Sequence, residues 1–184
     1  MSEAVIDACC LIDLLASGNA DAILRAAAFN WRLPSAVGGE VTHVRQYDPA
    51  NPGHFLKVAV DLSPLIASGV LQVCAPIGQA EQDRFVHYAT QFRSDGEAMC
   101  IALAEQRGWL LATDDRKAIR VARQAGITVL SCPALVKLWA DATKPNQATL
   151  LQVLRDIEVF AQFKPNPTMP ESQWWADELA KGSP

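Results

Sequence analysis

The sequence predicts an α/β fold, a central parallel sheet flanked by helices, and three observations carry that expectation. Short apolar runs alternate with amphipathic stretches over the first 130 or so residues. Trp109-Leu-Leu-Ala-Thr113 is almost wholly apolar, as a central strand covered on both faces should be. Gly18, Gly69, Gly108 and Gly126 each interrupt a helical periodicity, which sets the alternation.

Taken in order, residues 4–6 form a strand that delivers Asp7, and Leu11, Leu14 and Leu15 line a helix closed by Gly18. A second helix covers 21–28 and a strand 30–33. Pro34-Ser35 then opens a helix carrying Glu40, His43 and Arg45, with Glu40 in its first half. Asp48-Pro-Ala-Asn-Pro-Gly53 is dense in turn formers and reads as a surface loop. Helical periodicity resumes over 55–67, a strand covers 70–74 and a helix 79–92. Ala98, Ile101, Ala102 and Ala104 recur at helical spacing, so 95–107 is a buried helix. After the strand at 109–113 come a helix at 116–124 and a last strand at 127–130. Pro133 begins a helix to 139, and Leu150, Leu151, Leu154 and Ile157 mark another over 149–163. Residues 164–170, rich in proline, form a stiff spacer before a short helix at 171–181 whose Trp174 and Trp175 need a surface to pack on.

Composition limits the function classes. The chain has 184 residues, half of them apolar, enough for a core. A formal charge of -4 means that any nucleic-acid contact depends on a local basic patch. Five cysteines show neither zinc spacing nor a disulfide framework, which points to a reducing, cytoplasmic setting. No run approaches the roughly 20 apolar residues of a spanning helix, and the first residues lack a secretory pattern, so a soluble protein off the membrane is expected.

Chemistry concentrates in four carboxylate positions: Asp7, Glu40, Glu97 and the pair Asp114-Asp115. Each falls at a strand end or in a helix's opening turns, the edge of a parallel sheet where ligands bind. Two carboxylates about 4 Å apart repel by on the order of 4 kcal/mol at an effective dielectric near 20. A gathered set therefore calls for a cation, and oxygen donors select magnesium or manganese. Such ions activate water and neutralise charge developing on phosphorus, which makes phosphodiester hydrolysis the matching reaction.

Each residue alone also has a structural reading. Ser94-x-x-Glu97 has the form of a capping box, Thr113 followed by two aspartates suits a helix start, and Asp7 could cap the first helix. Recurrence of all four at one edge favours the site. Arg116, Arg120 and Arg123 share a helix face with Lys117 beside them, and His43 and Arg45 follow Glu40; these are the candidate phosphate contacts. Cys9, Cys10 and Cys100 read as small core fillers. A haloacid-dehalogenase phosphatase is disfavoured because no aspartate stands two residues after Asp7, and a dinucleotide enzyme because no glycine-rich turn follows the first strand.

Val5-Ile-Asp7 with Leu11-Ile12 and Leu14, then Glu40, Gly96-Glu97-Ala98 with Ala102-Leu-Ala104, and Leu110-Leu-Ala-Thr-Asp-Asp115 followed by Ala118 together resemble the PIN domain. The resemblance implies a three-layer α/β/α sandwich over residues 1–140, with 141–184 as a C-terminal helical extension. It also implies metal-dependent RNA cleavage, as in toxins of toxin-antitoxin pairs, with an antitoxin partner and a homodimer. The family's acidic positions fall on Asp7, Glu40, Glu97 and Asp115 with Thr113, which makes Asp115 the favoured ligand over Asp114. A non-catalytic RNA- or protein-binding module on the same fold is the alternative.

Overall fold

The computed structural model describes residues 2–182. The chain is α/β, with a central five-stranded parallel sheet flanked by helices in the manner of a three-layer α/β/α sandwich. It divides into two compact units, each made of separate stretches of chain.

The first unit holds residues 2–11, 28–42 and 61–131. Its strands are β1 (Glu3–Ile6), β2 (Asn30–Pro34), β5 (Leu71–Cys74), β6 (Leu110–Ala112) and β7 (Val129–Leu130). They lie in the order β5-β2-β1-β6-β7, every neighbouring pair parallel. Two strands are added on one side of β1 and two on the other, so the order reverses between β1 and β6, where open α/β sheets bind ligands. β1 pairs Ala4 with Leu110 and Ile6 with Ala112, and that register brings Asp7 level with Thr113. Ala4, Val5, Ile6, Leu111 and Ala112 are fully buried, as the apolar runs require.

The helices of this unit are the start of α1 (Ala8–Ala16), α3 (Ser35–Glu40), α4 (Ser63–Ala67), α5 (Gln79–Ala89), α6 (Asp95–Arg107) and α7 (Arg116–Gln124). α6 is buried along Ala98, Cys100, Ile101, Ala102, Leu103 and Ala104, because small side chains let it lie close to its neighbours. Each large apolar side chain so buried contributes about 1.5–3 kcal/mol. Gly108, at φ +65°, stops the helix, and Trp109 N–H donates to Ala104 O at 3.0 Å, turning the chain into β6.

The second unit holds residues 12–27, 43–60 and 132–182. It contains α2 (Ala20–Ala26), the antiparallel hairpin β3 (His43–Tyr47) and β4 (Phe55–Ala59), α8 (Cys132–Thr143), α9 (Gln147–Asp156), a π-helical turn at Ile157–Ala161 and α10 (Ser172–Ala180). Trp175 is 2% exposed and its indole N–H donates to Glu158 Oε1 at 3.2 Å, so this tryptophan does find a packing surface, while Trp174 is half-buried. Among the described residues no helix is long and apolar enough to cross a membrane.

Two sequence expectations are corrected. The helix opened by Ser35 ends at Glu40, so Glu40 is its last residue, and His43 and Arg45 lie on β3 instead. The stretch 55–67 is not one helix but β4 followed by α4. Both errors concern one ribbon, which is stabilised by pairing across a loop rather than by a local period. The loop at 48–53 is a surface turn, as its residues indicate, with Asp48 N–H donating to His54 O at 2.9 Å.

Candidate functional site

All the predicted acidic positions fall in the first unit. Asp7 follows β1 and is 2% exposed. Its Oδ1 accepts from Ala8 N–H at 2.8 Å; its Oδ2 accepts from the Thr113 hydroxyl at 2.8 Å and from the Cys9 thiol at 3.2 Å. Burial nevertheless pushes its pKa up, outweighing the three donors, and the Glu40 charge adds to the rise.

Thr113 directly follows β6 and is fully buried. While its hydroxyl donates to Asp7, the same oxygen accepts from Asp115 N–H at 3.2 Å. One side chain thus couples the ends of two neighbouring strands. Asp115 is the N-cap of α7, with Oδ1 accepting from Ala118 N–H at 2.7 Å.

Glu97 stands in the first turn of α6 and receives a hydrogen bond from the Ser94 hydroxyl on Oε2. The expected capping box is therefore inverted: Ser94 makes no side-chain cap to the backbone and serves the carboxylate instead. The pKa of Glu97 is raised, first by burial and then by the charges of Asp7, Glu40 and Asp115. Glu40 Oε1 accepts from Gly96 N–H at 3.0 Å. A Cβ at position 96 would stand 2.7 Å from both oxygens of Glu40, so the glycine admits that carboxylate to the start of α6.

Asp7, Glu40 and Asp115 therefore all lie within electrostatic reach of Glu97, and Glu40 within reach of Asp7. Of the doublet, Asp115 bears on Glu97 and Asp114 on the Cys9 thiol. Burial first, and then neighbouring negative charge, raises the pKa of Asp7 and of Glu97, a cost that a hard divalent cation relieves, and every principal donor is oxygen. Carboxylate oxygen is the donor type that magnesium and manganese take.

Cys9 was not legible as part of this group. Its thiol is not a core filler but donates to Asp7, meets Thr113 Oγ1 at 3.4 Å and accepts from Asp114 N–H at 3.4 Å. Burial and the Asp7 charge push its pKa well up, so it stays protonated. Its place two residues after Asp7, in the first helical turn, was the available signal. Cys10 and Cys100 are buried as expected.

Of the basic candidates, Arg116, Arg120 and Arg123 are exposed along α7, which begins at the Asp115 cap. Lys117 donates to Gln91 O, with its ammonium 4.9 Å from the centre of the Phe92 ring, fastening the α5–α6 connection to α7. His43 and Arg45 belong to the second unit, where the Arg45 guanidinium lies 4.2 Å over the Phe55 ring. Comparison with protein-family models, with curated proteins and with solved structures returned no match.

Proposed function

We propose that the protein is a PIN-type ribonuclease dependent on magnesium or manganese, with Asp7, Glu97 and Asp115 holding the ion and Glu40 completing the shell. The observation that carries this reading is Glu97, a carboxyl group with a raised pKa beside three further anions at the sheet's point of strand reversal. Bound there, the ion supplies water activation and neutralises charge on the scissile phosphate.

The chain's own residues have distinct tasks. Thr113 holds the Asp7 carboxylate and the Asp115 backbone in one orientation. Ser94 orients Glu97, and Gly96 positions Glu40. Arg116, Arg120 and Arg123 offer guanidinium groups for RNA phosphates. The same reading makes the protein cytoplasmic, a homodimer, and the toxin partner of a small antitoxin.

The second reading, a non-catalytic module, draws on Asp115 capping α7 and Ser94 bonding Glu97, which give both carboxylates structural tasks. Calorimetric titration with manganese separates the two. The nuclease reading expects saturable binding that Asp115→Asn weakens at least tenfold, together with metal-dependent cleavage of single-stranded RNA. Absence of ion binding in the wild-type protein favours the module.

A further inference from the structure

The β3–β4 hairpin breaks the pairing rules of its own ribbon. Arg45 lies directly opposite Lys57, a like-charge pair that destabilises a sheet. Among the described residues neither forms an ion pair. The hairpin's nearby acid is committed elsewhere: Asp48 accepts from Ala50 N–H at 2.8 Å and from the Asn51 amide at 2.7 Å, and these bonds hold its pKa low.

The next pair on the same face is Tyr47 opposite Phe55, stacked at 5.1 Å with 23° between the rings. Phe160 packs edge-on against both, at 5.1 and 6.3 Å, and fixes their orientation. Yet Tyr47 remains 57% exposed and Phe55 37% exposed. Arg45 lies 4.2 Å over the Phe55 ring, yet among the described residues Lys57 opposite it has no such recompense, and a like-charge pair beside two exposed rings is where function is to be sought.

We propose that this face binds single-stranded RNA, with Tyr47 and Phe55 stacking on bases while Arg45 and Lys57 hold phosphates. An acidic peptide would use the cations but give the rings no flat partner. An apolar protein surface would cover the rings but bury two like charges. Only a chain that alternates flat bases with anionic links uses both. The proposal rests on RNA as the substrate under the reading above, not on catalysis.

The test uses the full chain carrying Asp7→Asn, in chelator, and a fluorescent oligouridylate of about 12 nucleotides, within the site size of such platforms. Anisotropy titrations are expected to show Tyr47→Ala and Phe55→Ala each weakening binding about tenfold, with Tyr47→Trp restoring it. Arg45→Gln with Lys57→Gln should flatten the salt dependence of log K by about 1.4, at roughly 0.7 per phosphate contact. Circular dichroism confirms that each variant folds, and the Trp variant guards against a merely structural loss. Unchanged affinity in all folded variants overturns the proposal. So does a hairpin variant that binds RNA normally but loses a dimer in sedimentation, which assigns the face to protein contact. Because binding is read without metal on an inactivated chain, failure of cleavage in the wild-type protein would remove the nuclease reading while leaving this result readable.

Discussion

Gly96 N–H donates to Glu40 Oε1 at 3.0 Å, joining residues 56 apart in sequence, and the missing side chain at 96 makes room for the carboxylate. Gly96→Ala would gain helix propensity of up to about 1 kcal/mol but lose a charge-assisted bond of about 1.5–3 kcal/mol and crowd Glu40. Because the end of Glu40 can swing away, the expected net loss in urea unfolding is small, about 1 kcal/mol. Manganese affinity by calorimetry should fall about tenfold, since one donor has moved. A loss of stability with unchanged affinity would confine Glu40 to capping α6.

Asp7→Asn should abolish cleavage while raising the stability of the metal-free protein. The amide can keep the bond from Ala8 N–H and donate to the Thr113 oxygen, so the geometry survives without the buried charge. A gain of about 1 kcal/mol corresponds to roughly 2–4 °C in a chain of this size. Full cleavage by this variant in manganese removes Asp7 from the mechanism.

The pH dependence has a definite sign. Asp7 and Glu97 have folded-state pKa values above their unfolded ones, so the folded chain binds more protons between those values. In the metal-free protein their contribution is therefore most favourable below the ordinary carboxylate value of about 4 and is lost as pH rises through the raised values. Glu81 acts oppositely: Arg107 holds it down at about 2, so its contribution is present at neutral pH and lost in acid. Manganese competes with protons for Asp7 and Glu97, whose pKa values are raised, so the melting-temperature gain it confers should increase as pH rises from the ordinary carboxylate value of about 4. A gain independent of pH would place the ion elsewhere.

Thr113→Val keeps the side-chain volume and removes the hydroxyl that donates to Asp7 and accepts from Asp115 N–H. Loss of this fully buried bridge should cost about 1–3 kcal/mol in denaturant unfolding. It should also raise the pH midpoint for manganese binding, because Asp7 loses a donor that favours its charge. Thr113→Ser, which retains the hydroxyl, should restore that midpoint.

Local signals made much of the sheet and its helices legible. Asp95–Arg107 and Arg116–Gln124 were readable to the residue because Gly108 and Gly126 mark their ends and the aspartate doublet marks a start. The hairpin was not readable: Arg45, Tyr47, Phe55 and Lys57 place charge and apolar bulk on the same face, which blurs the period of two that signals a strand. Within the site, Asp7, Glu97 and Asp115 stood out by their positions at a strand end and at helix starts, whereas Glu40 ends its helix, against the sequence expectation. Their supporting contacts did not, since Glu40 with Gly96 and Cys9 with Asp114 are set by tertiary pairing that leaves no mark on local sequence.

β1 is the middle strand of its sheet although it is the earliest in the chain, and Asp7 at its tip waits for Thr113, 106 positions later. A growing polypeptide thus carries the first acidic residue long before the β6 edge that supports it exists. The acidic group is completed only after most of the chain has been made, so a truncated translation product ending before β6 would carry Asp7, Glu40 and Glu97 without Thr113 and Asp115.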